Sequence, residues 1–344
     1  MTTAMQTSQK PLIALAMGDP AGISPELAAK ALALPEVRDA ADFIVFGDLR
    51  VLQEGARVAG VALDLDIADA PRRPDGKPVF VDLKNLDPAT VVPAKVSLAG
   101  GEFASQNFRA ALKLGREGVA DAVAFTPFNK QAMRLANPGY DDEIKFSATE
   151  LGVDVVASEF NVLPQFWNAR VTSHVPLSGV SERITKEAVL KGLQLTDASL
   201  KASGIARPRI AVAGLNPHAG DGGNFGSEEI EQIEPAVREG KARGIACEGP
   251  YPSDTVFVRA VDGHFDAVLT MYHDQGQIAM KLIGFDKGVT LLGGFPVPIC
   301  TPAHGTAYEI AGKGVANVGA TREALLLAAR MGGARKAAKE QRAA

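Results

Sequence analysis

Cysteine is almost absent from this chain: Cys247 and Cys300 are the only two in 344 residues. That is too few for a disulfide framework, and reduced thiols are the expectation. Long apolar runs are missing as well, none approaching the roughly 20 residues that cross a bilayer. No block of basic residues occurs, and the net charge of −4 argues against nucleic acid as the main partner. The stretch Met1–Lys10 is polar and lacks the basic-then-apolar layout of a signal peptide, so a cytoplasmic protein is expected. No repeat, low-complexity segment or long polar linker divides the chain. No Gly-x-Gly-x-x-Gly follows the first strand, so the Rossmann fingerprint is lacking. Histidine is scarce too, with five in the whole chain.

What is present is the composition of a soluble globular protein, 46% hydrophobic and 22% charged, long enough for two domains or one large α/β unit. Apolar runs predict strands at Leu12–Met17, Asp42–Gly47, Pro78–Leu83, Asp121–Phe125, Phe166–Ser173, Arg209–Leu215, Asp266–Thr270, Gly288–Gly294 and Pro296–Cys300. Helices are expected between them. The first has Ser24 as N-cap and Pro25 in the first helical position, running to about Leu34. Others cover Val51–Val58 and Ala104 to about Glu117, the latter with Phe108, Leu112 and Gly115 on one face. A helix capped by Ser181 places Ile184, Ala188 and Leu195 together. One from Ser227 is marked by Ile230, Ile233 and Val237, and a last one begins near Thr321. Asp69–Gly76 reads as turns and Asn137–Phe146 as a loop. Alternating strands and helices argue for α/β architecture with a substantially parallel sheet.

Three of the five histidines follow apolar strands. His174 comes after Phe166–Ser173, His218 after Arg209–Leu215, and His273 after Asp266–Thr270, within Met271-Tyr-His-Asp-Gln-Gly276. Ligands of open α/β sheets bind outside the carboxyl ends of strands. Neutral imidazole suits borderline divalent metals, and three ligands with open positions serve a catalytic metal. A single histidine at a strand end is more often a satisfied loop residue; the triplet is what points to one metal. The spacings of 44 and 55 residues are nothing like a zinc finger's.

Other stretches are open to two readings. His304-Gly-Thr-Ala-Tyr-Glu-Ile-Ala-Gly-Lys-Gly-Val-Ala-Asn317 is either a turn into a short helix or a backbone cradle for an adenosine, with Glu309 accepting from a ribose hydroxyl. Gly18–Glu26 is an anion-binding helix N-terminus or a well-capped turn. Asp254 and Asp274 suit proton transfer or support of a metal ligand. Lys130 and Lys281 are surface lysines or partners for a substrate carboxylate.

Together these residues resemble the 4-hydroxythreonine-4-phosphate dehydrogenase family of vitamin B6 biosynthesis and its catabolic relatives. The resemblance spans nearly the whole chain. It rests on Met17-Gly-Asp-Pro-Ala-Gly-Ile-Ser-Pro-Glu26, Asn216-Pro-His-Ala-Gly220, Pro252-Ser-Asp-Thr255, Met271–Gly276 and His304-Gly-Thr-Ala307. It implies an α/β, two-domain fold of the isocitrate/isopropylmalate dehydrogenase type, with the active site in the interdomain cleft. A cofactor-side domain is then expected at 1–130 with 296–344, and a metal, substrate and dimerisation domain at 131–295. It also implies a homodimer whose interface gathers His174, His218 and His273 around Zn, Co, Ni, Mn or Mg. Lys130, Asp254 and Asp274 become catalytic candidates and Lys281 a substrate-binding lysine. NAD is the implied cofactor, held by His304, Gly305, Thr306, Ala307, Glu309 and Asn317.

The chain departs from the family where the substrate is held. A Gly-His-Thr-Glu phosphate motif is replaced by Gly139-Tyr-Asp-Asp-Glu-Ile-Lys-Phe-Ser-Ala148. A substrate-binding asparagine is replaced by Thr290, and a substrate-binding arginine by Ile299. Isoleucine removes a bidentate phosphate partner, and Asp141-Asp142 would repel a phosphate. The expected activity is therefore NAD- and metal-dependent oxidation of a β-hydroxy acid with decarboxylation of the β-keto product. An unphosphorylated substrate of the dihydrodiol carboxylate type is favoured over 4-hydroxythreonine 4-phosphate or a phosphorylated sugar acid. Two other classes compete: a metal-dependent hydrolase, which has no use for the 304–317 cradle, and a non-catalytic small-molecule binding protein.

Overall fold

The structure, a computed structural model, describes residues 10–343. It forms two compact units. One contains the chain up to Asp141 with Gly305–Val318 and the residues from Leu325 onward; the other contains Asp142–His304 and Gly319–Ala324. These bounds differ from a division at 130/131 and 295/296. The strands on either side of residue 295 pair with each other, which keeps both in one unit.

The first unit contains β1 (Leu12–Ala16), α1 (Ser24–Ala33), α2 (Pro35–Ala40), β2 (Asp42–Gly47), α3 (Leu49–Ala59), β3 (Asp66–Ala68), β4 (Val79–Asp82), α4 (Leu98–Arg116), β5 (Ala122–Phe125) and α5 (Lys130–Ala136). Its strands run in the order β3-β4-β2-β1-β5 and every pairing is parallel. β1 and β5 are buried along their whole length, as strands covered on both faces must be. Phe108 of α4 packs on Phe125 at 4.7 Å between ring centroids, and Phe125 stacks on Phe128 at 4.3 Å. α4 starts six residues before the expected Ala104 because Ser97 caps it, accepting from Gly100 N at 3.0 Å. Its glycines hide the pattern for a reason: a Cβ on Gly101 would sit 2.0 Å from the Ala132 carbonyl, so only glycine lets α4 and α5 approach. Ser24 is helical rather than a cap. Its buried Oγ donates to the Pro127 carbonyl at 2.6 Å and ties α1 to the turn after β5.

The second unit contains α6 (Glu143–Leu151), β6 (Ser158–Val162), β7 (Trp167–Arg170), α7 (Lys186–Ala202), β8 (Ile210–Ala213), α8 (Glu234–Ala242), β9 (Cys247–Tyr251), α9 (Val256–Val261), β10 (Ala267–Thr270), α10 (His273–Gly284), β11 (Val289–Gly293) and β12 (Ile299–Pro302); α11 (Gly319–Ala343) ends the chain. The strand order is β12-β11-β6-β7-β10-β8-β9. β7, β10, β8 and β9 are parallel, whereas β12-β11, β11-β6 and β6-β7 are antiparallel, so this sheet is mixed. β6 escapes a hydrophobicity reading because Ser158, Glu159 and Asn161 interrupt it. The 137–146 stretch is not all loop: Asp142 caps α6, accepting from Lys145 N at 2.8 Å.

Two further expectations shift. α7 is capped by Thr185, not Ser181, whose hydroxyl donates to Glu228 instead; Ile184 lies outside the helix, and the buried face is Val189, Leu190, Leu193 and Leu200. The helix after Ser227 begins with a wide turn, Glu229–Ile233, which leaves Ile230 exposed while Ile233 and Val237 are buried. Among the described residues no helix is long and apolar enough to cross a membrane.

The cap assignment is testable. Thr185→Ala should destabilise the protein by about 1 kcal/mol in chemical denaturation, as loss of an N-cap does, and Ser181→Ala by distinctly less. Equal effects would contradict it.

Candidate active site

The three strands that precede the candidate ligands are neighbours, with β10 between β7 and β8. Thr270 is in register with Arg170, and Leu269 with Val212, so all three end at one level of the sheet. His174, His218 and His273 follow within a few residues. The segments leading to them are tied together. Val171 N donates to Thr270 O at 2.9 Å, and Thr172 gives both its N–H (3.1 Å) and its hydroxyl (2.8 Å) to Met271 O. Gln275 accepts from Met271 N and donates to Gly214 O, both at 2.7 Å.

His174 and His273 come together, their ring centroids 5.6 Å apart and their planes at 43°. His273 is the first residue of α10 rather than part of a loop. Its Nδ1 is 2.6 Å from Asp274 Oδ1, so the carboxylate fixes the ring and leaves Nε2 for another partner. Asp274 is thereby given an orienting position. His218 is exposed and sits in the left-handed region with φ 54°. Among the described residues no three His, Cys, Asp or Glu side chains are grouped so as to hold a metal. Of the three histidines, His174 and His273 are the two whose rings are brought together. Large apolar side chains lie exposed close in sequence to each histidine: Leu177, Phe225, Ile230, Ile278, Leu282 and Phe285, with Leu282 83% exposed.

The substrate candidates are spread along the same unit. Lys281 is exposed on the last turn of α10, and Asp254 is exposed in the turn before α9. Thr290 of β11 lies opposite Asn161 and Thr301. Ile299 is fully buried, opposite Leu292. Beside them lies an ion pair that no periodicity reveals. The buried Arg170 donates to Glu159 at 2.9 Å and to Asn161 at 3.0 Å, and Gln277 of α10 donates to the same Asn161 at 2.6 Å. Burial pulls the Arg170 guanidinium below its ordinary pKa, and Glu159 opposes that.

In the first unit, Lys130 is exposed at the start of α5. The 305–317 part of the cradle is held down on the turn between β1 and α1. Ile23 N donates to Thr306 O at 3.0 Å, and a Cβ on Gly22 would lie 2.7 Å from Thr306. Tyr308 donates to Asp19 Oδ2 at 2.5 Å, and Ala21 N to Asp19 Oδ1 at 2.9 Å. Lys30 reaches the carbonyls of Gly314 (3.0 Å) and Ala316 (2.8 Å), while Glu26 accepts from Lys30 and from Ala316 N. The Gly18–Glu26 turn is thus a platform for the cradle. Ala307 is left-handed, and Glu309 is exposed in a short 3-10 turn, Tyr308–Ile310. A cavity of about 520 Å³, the size of a small-molecule pocket, opens among Pro20, Gly22, Glu54, Val58, Ala311 and Gly312. His304, Gly305, Thr306, Ala307, Glu309 and Asn317 do not line it. The Asp19–Tyr308 bond joins residues 289 apart in the chain, and the only signal of it in the sequence is an aspartate just after an apolar strand.

Residues 39–328 match the family described as Pyridoxal phosphate biosynthetic protein PdxA. A Rhizobium meliloti (strain 1021) protein, provisionally named 4-hydroxythreonine-4-phosphate dehydrogenase 2, is 63% identical over 94% of each chain. Among solved structures, the 4-hydroxythreonine-4-phosphate dehydrogenase of Klebsiella pneumoniae superposes with a TM-score of 0.82 at 33% identity, covering 95% of this chain and 100% of that one. A terephthalate 1,2-cis-dihydrodiol dehydrogenase from Burkholderia xenovorans LB400 superposes with a TM-score of 0.64 at 30% identity, covering 93% and 98%.

Burial raises the Asp19 carboxyl above its ordinary value of 3.8, against the lowering by the Tyr308 and Ala21 hydrogen bonds. Ionisation therefore costs the folded state: the Asp19 contribution is fully present below about pH 4 and is lost as pH rises through the raised folded value. Relative to Asp19→Asn, the wild type should lose stability in denaturant titrations as the pH rises from about 4. Parallel pH profiles would contradict this.

Proposed function

The chain belongs to the PdxA family of pyridoxal phosphate biosynthetic proteins, and from that premise we propose that it oxidises a β-hydroxy acid with NAD and a divalent metal, decarboxylating the β-keto product. It is an oxidoreductase acting on a CH–OH group. The His174–His273 pair, oriented by Asp274, is the observation that carries the reading. Two exposed or half-exposed imidazoles, one with a carboxylate behind it, suit Zn, Co, Ni, Mn or Mg in chemistry but fall short in number. A third imidazole, the His218 of a second copy, completes the set. The exposed apolar residues near all three histidines support a homodimer with this edge at its interface.

Bound there, the metal would lower the pKa of the substrate hydroxyl and engage the neighbouring carboxylate, while NAD would accept the hydride. The chain's own part is positioning. Asp274 holds the His273 ring, and Lys281, on the same helix, offers an ammonium to a substrate carboxylate. Lys130 and Asp254 are the groups proposed to move protons. Thr306, tied to the β1–α1 turn through Ile23 N–H, with His304, Gly305, Ala307, Glu309 and Asn317, is proposed to hold the adenosine of NAD.

For the substrate, buried Ile299 offers an oxyanion nothing, and the buried arginine of the same sheet, Arg170 three strands away on β7, is already paired with Glu159. Both support an unphosphorylated acid of the dihydrodiol carboxylate type, the substrate class in the name of the Burkholderia xenovorans relative. The names of the Rhizobium and Klebsiella relatives favour a second reading, a phosphorylated hydroxy acid.

A screen of phosphorylated and unphosphorylated β-hydroxy acids and cis-dihydrodiol carboxylates, following NADH with added divalent metals, decides between them. The best turnover is expected on an unphosphorylated acid; best turnover on 4-hydroxythreonine 4-phosphate would overturn that part. Asp274→Asn should weaken metal binding about 10- to 100-fold, and His273→Ala by more. Full turnover in His273→Ala would remove the metal site from the mechanism.

A further inference from the structure

His218 lies in an unusual backbone. Six successive residues have positive φ: His218 (54°), Ala219 (54°), Gly220 (82°), Asp221 (45°), Gly222 (65°) and Gly223 (97°). Left-handed conformations at non-glycine residues such as His218, Ala219 and Asp221 are costly and persist only where the surroundings enforce them. Beneath this loop lies the carboxylate of Glu229, itself 1% exposed. Its Oε1 accepts from Leu215 N at 2.7 Å and Asn216 N at 2.8 Å, and its Oε2 accepts from Asn216 Nδ2 at 2.9 Å. Gly214 and Gly220 close over it; a Cβ on Gly220 would fall 2.7 Å from Glu229 Oε2. Phe225 N then closes the far side of the loop on Gly220 O at 3.2 Å.

We propose that Glu229 is the positioning residue of His218. The carboxylate fixes the two residues before Pro217, and the proline ring fixes the next φ, so the constraint runs unbroken to the imidazole. Glu229 touches neither metal nor substrate; it acts by holding His218 where a metal shared with His174 and His273 needs it. The inference rests on reading His218 as a ligand.

Cobalt(II) titrated into the full-length protein, read by absorption and calorimetry, provides the test. Glu229→Met keeps the bulk but removes both acceptors, and should weaken cobalt binding about 10- to 100-fold, the usual effect of losing a ligand's support. Amide exchange at 215–219 should quicken with it. Glu229→Gln keeps one oxygen for the two backbone N–H groups and should restore most of the affinity. Leu193→Ala, a buried truncation on α7, should change cobalt affinity less than about twofold, which separates positioning from general destabilisation. Should Glu229→Met fail to fold, Asn216→Ala, which cuts the Oε2 tie together with the Asn216 Nδ2 bond to Glu228, should still weaken binding several-fold, and Glu228→Ala, which removes the second bond alone, should not. His218→Ala distinguishes the two ways to be wrong. If it leaves cobalt affinity unchanged, the ligand reading fails and this inference with it. If it weakens binding while Glu229→Met and Asn216→Ala do not, the ligand reading stands and Glu229 is not its positioning residue.

Discussion

Parallel pairing of β7, β10 and β8, in a register that ends all three at one level, is the constraint on which the candidate site depends. Buried apolar strands cannot carry titratable side chains at low cost, so chemistry collects where they stop. The chain then pins the three exits to one another. Thr172 holds the His174 exit to Met271, and Gln275 holds Met271 to Gly214, at the start of the His218 exit. These are neutral hydrogen bonds between buried or half-buried groups, and the loops they fix would otherwise be free to diverge. The pair of imidazoles 5.6 Å apart is the outcome.

Position in the sequence revealed the ends of strands but not what stabilises them. His174, His218 and His273 were legible because each follows an apolar run that can only be a buried strand. The mixed order of the second sheet was not, since β6 pairs through its backbone while its side chains alternate Glu159, Phe160 and Asn161. Caps were misplaced where a hydroxyl had a better distant partner, as Ser24 has in Pro127 and Ser181 in Glu228. Asp19 with Tyr308, Arg170 with Glu159 and Glu229 with Leu215 are contacts made by folding, between residues far apart or of unremarkable type, and no periodicity encodes them.

The substrate side shows the opposite balance. Its departures from the family pattern, Thr290 and Ile299, are plain in the sequence, but their meaning depends on burial. Ile299 is part of the core, not a pocket wall waiting for a ligand, and Arg170 is neutralised by Glu159 at the next strands of the same sheet. Neither residue, as placed, presents a free positive charge to a substrate. Asp142, expected as a repulsive charge, is occupied as the cap of α6.

The central claim is that a metal is held by histidines of two chains. Co-expressing His218→Ala and His273→Ala chains with different tags and isolating the mixed dimer tests it most directly. Neither variant alone should bind metal tightly. In the mixed dimer one of the two sites regains all three imidazoles, so the account predicts one tightly bound metal per dimer and about half the wild-type turnover. A mixed dimer as empty and inactive as its parents would contradict it, because a site built within a single chain could not be repaired in this way.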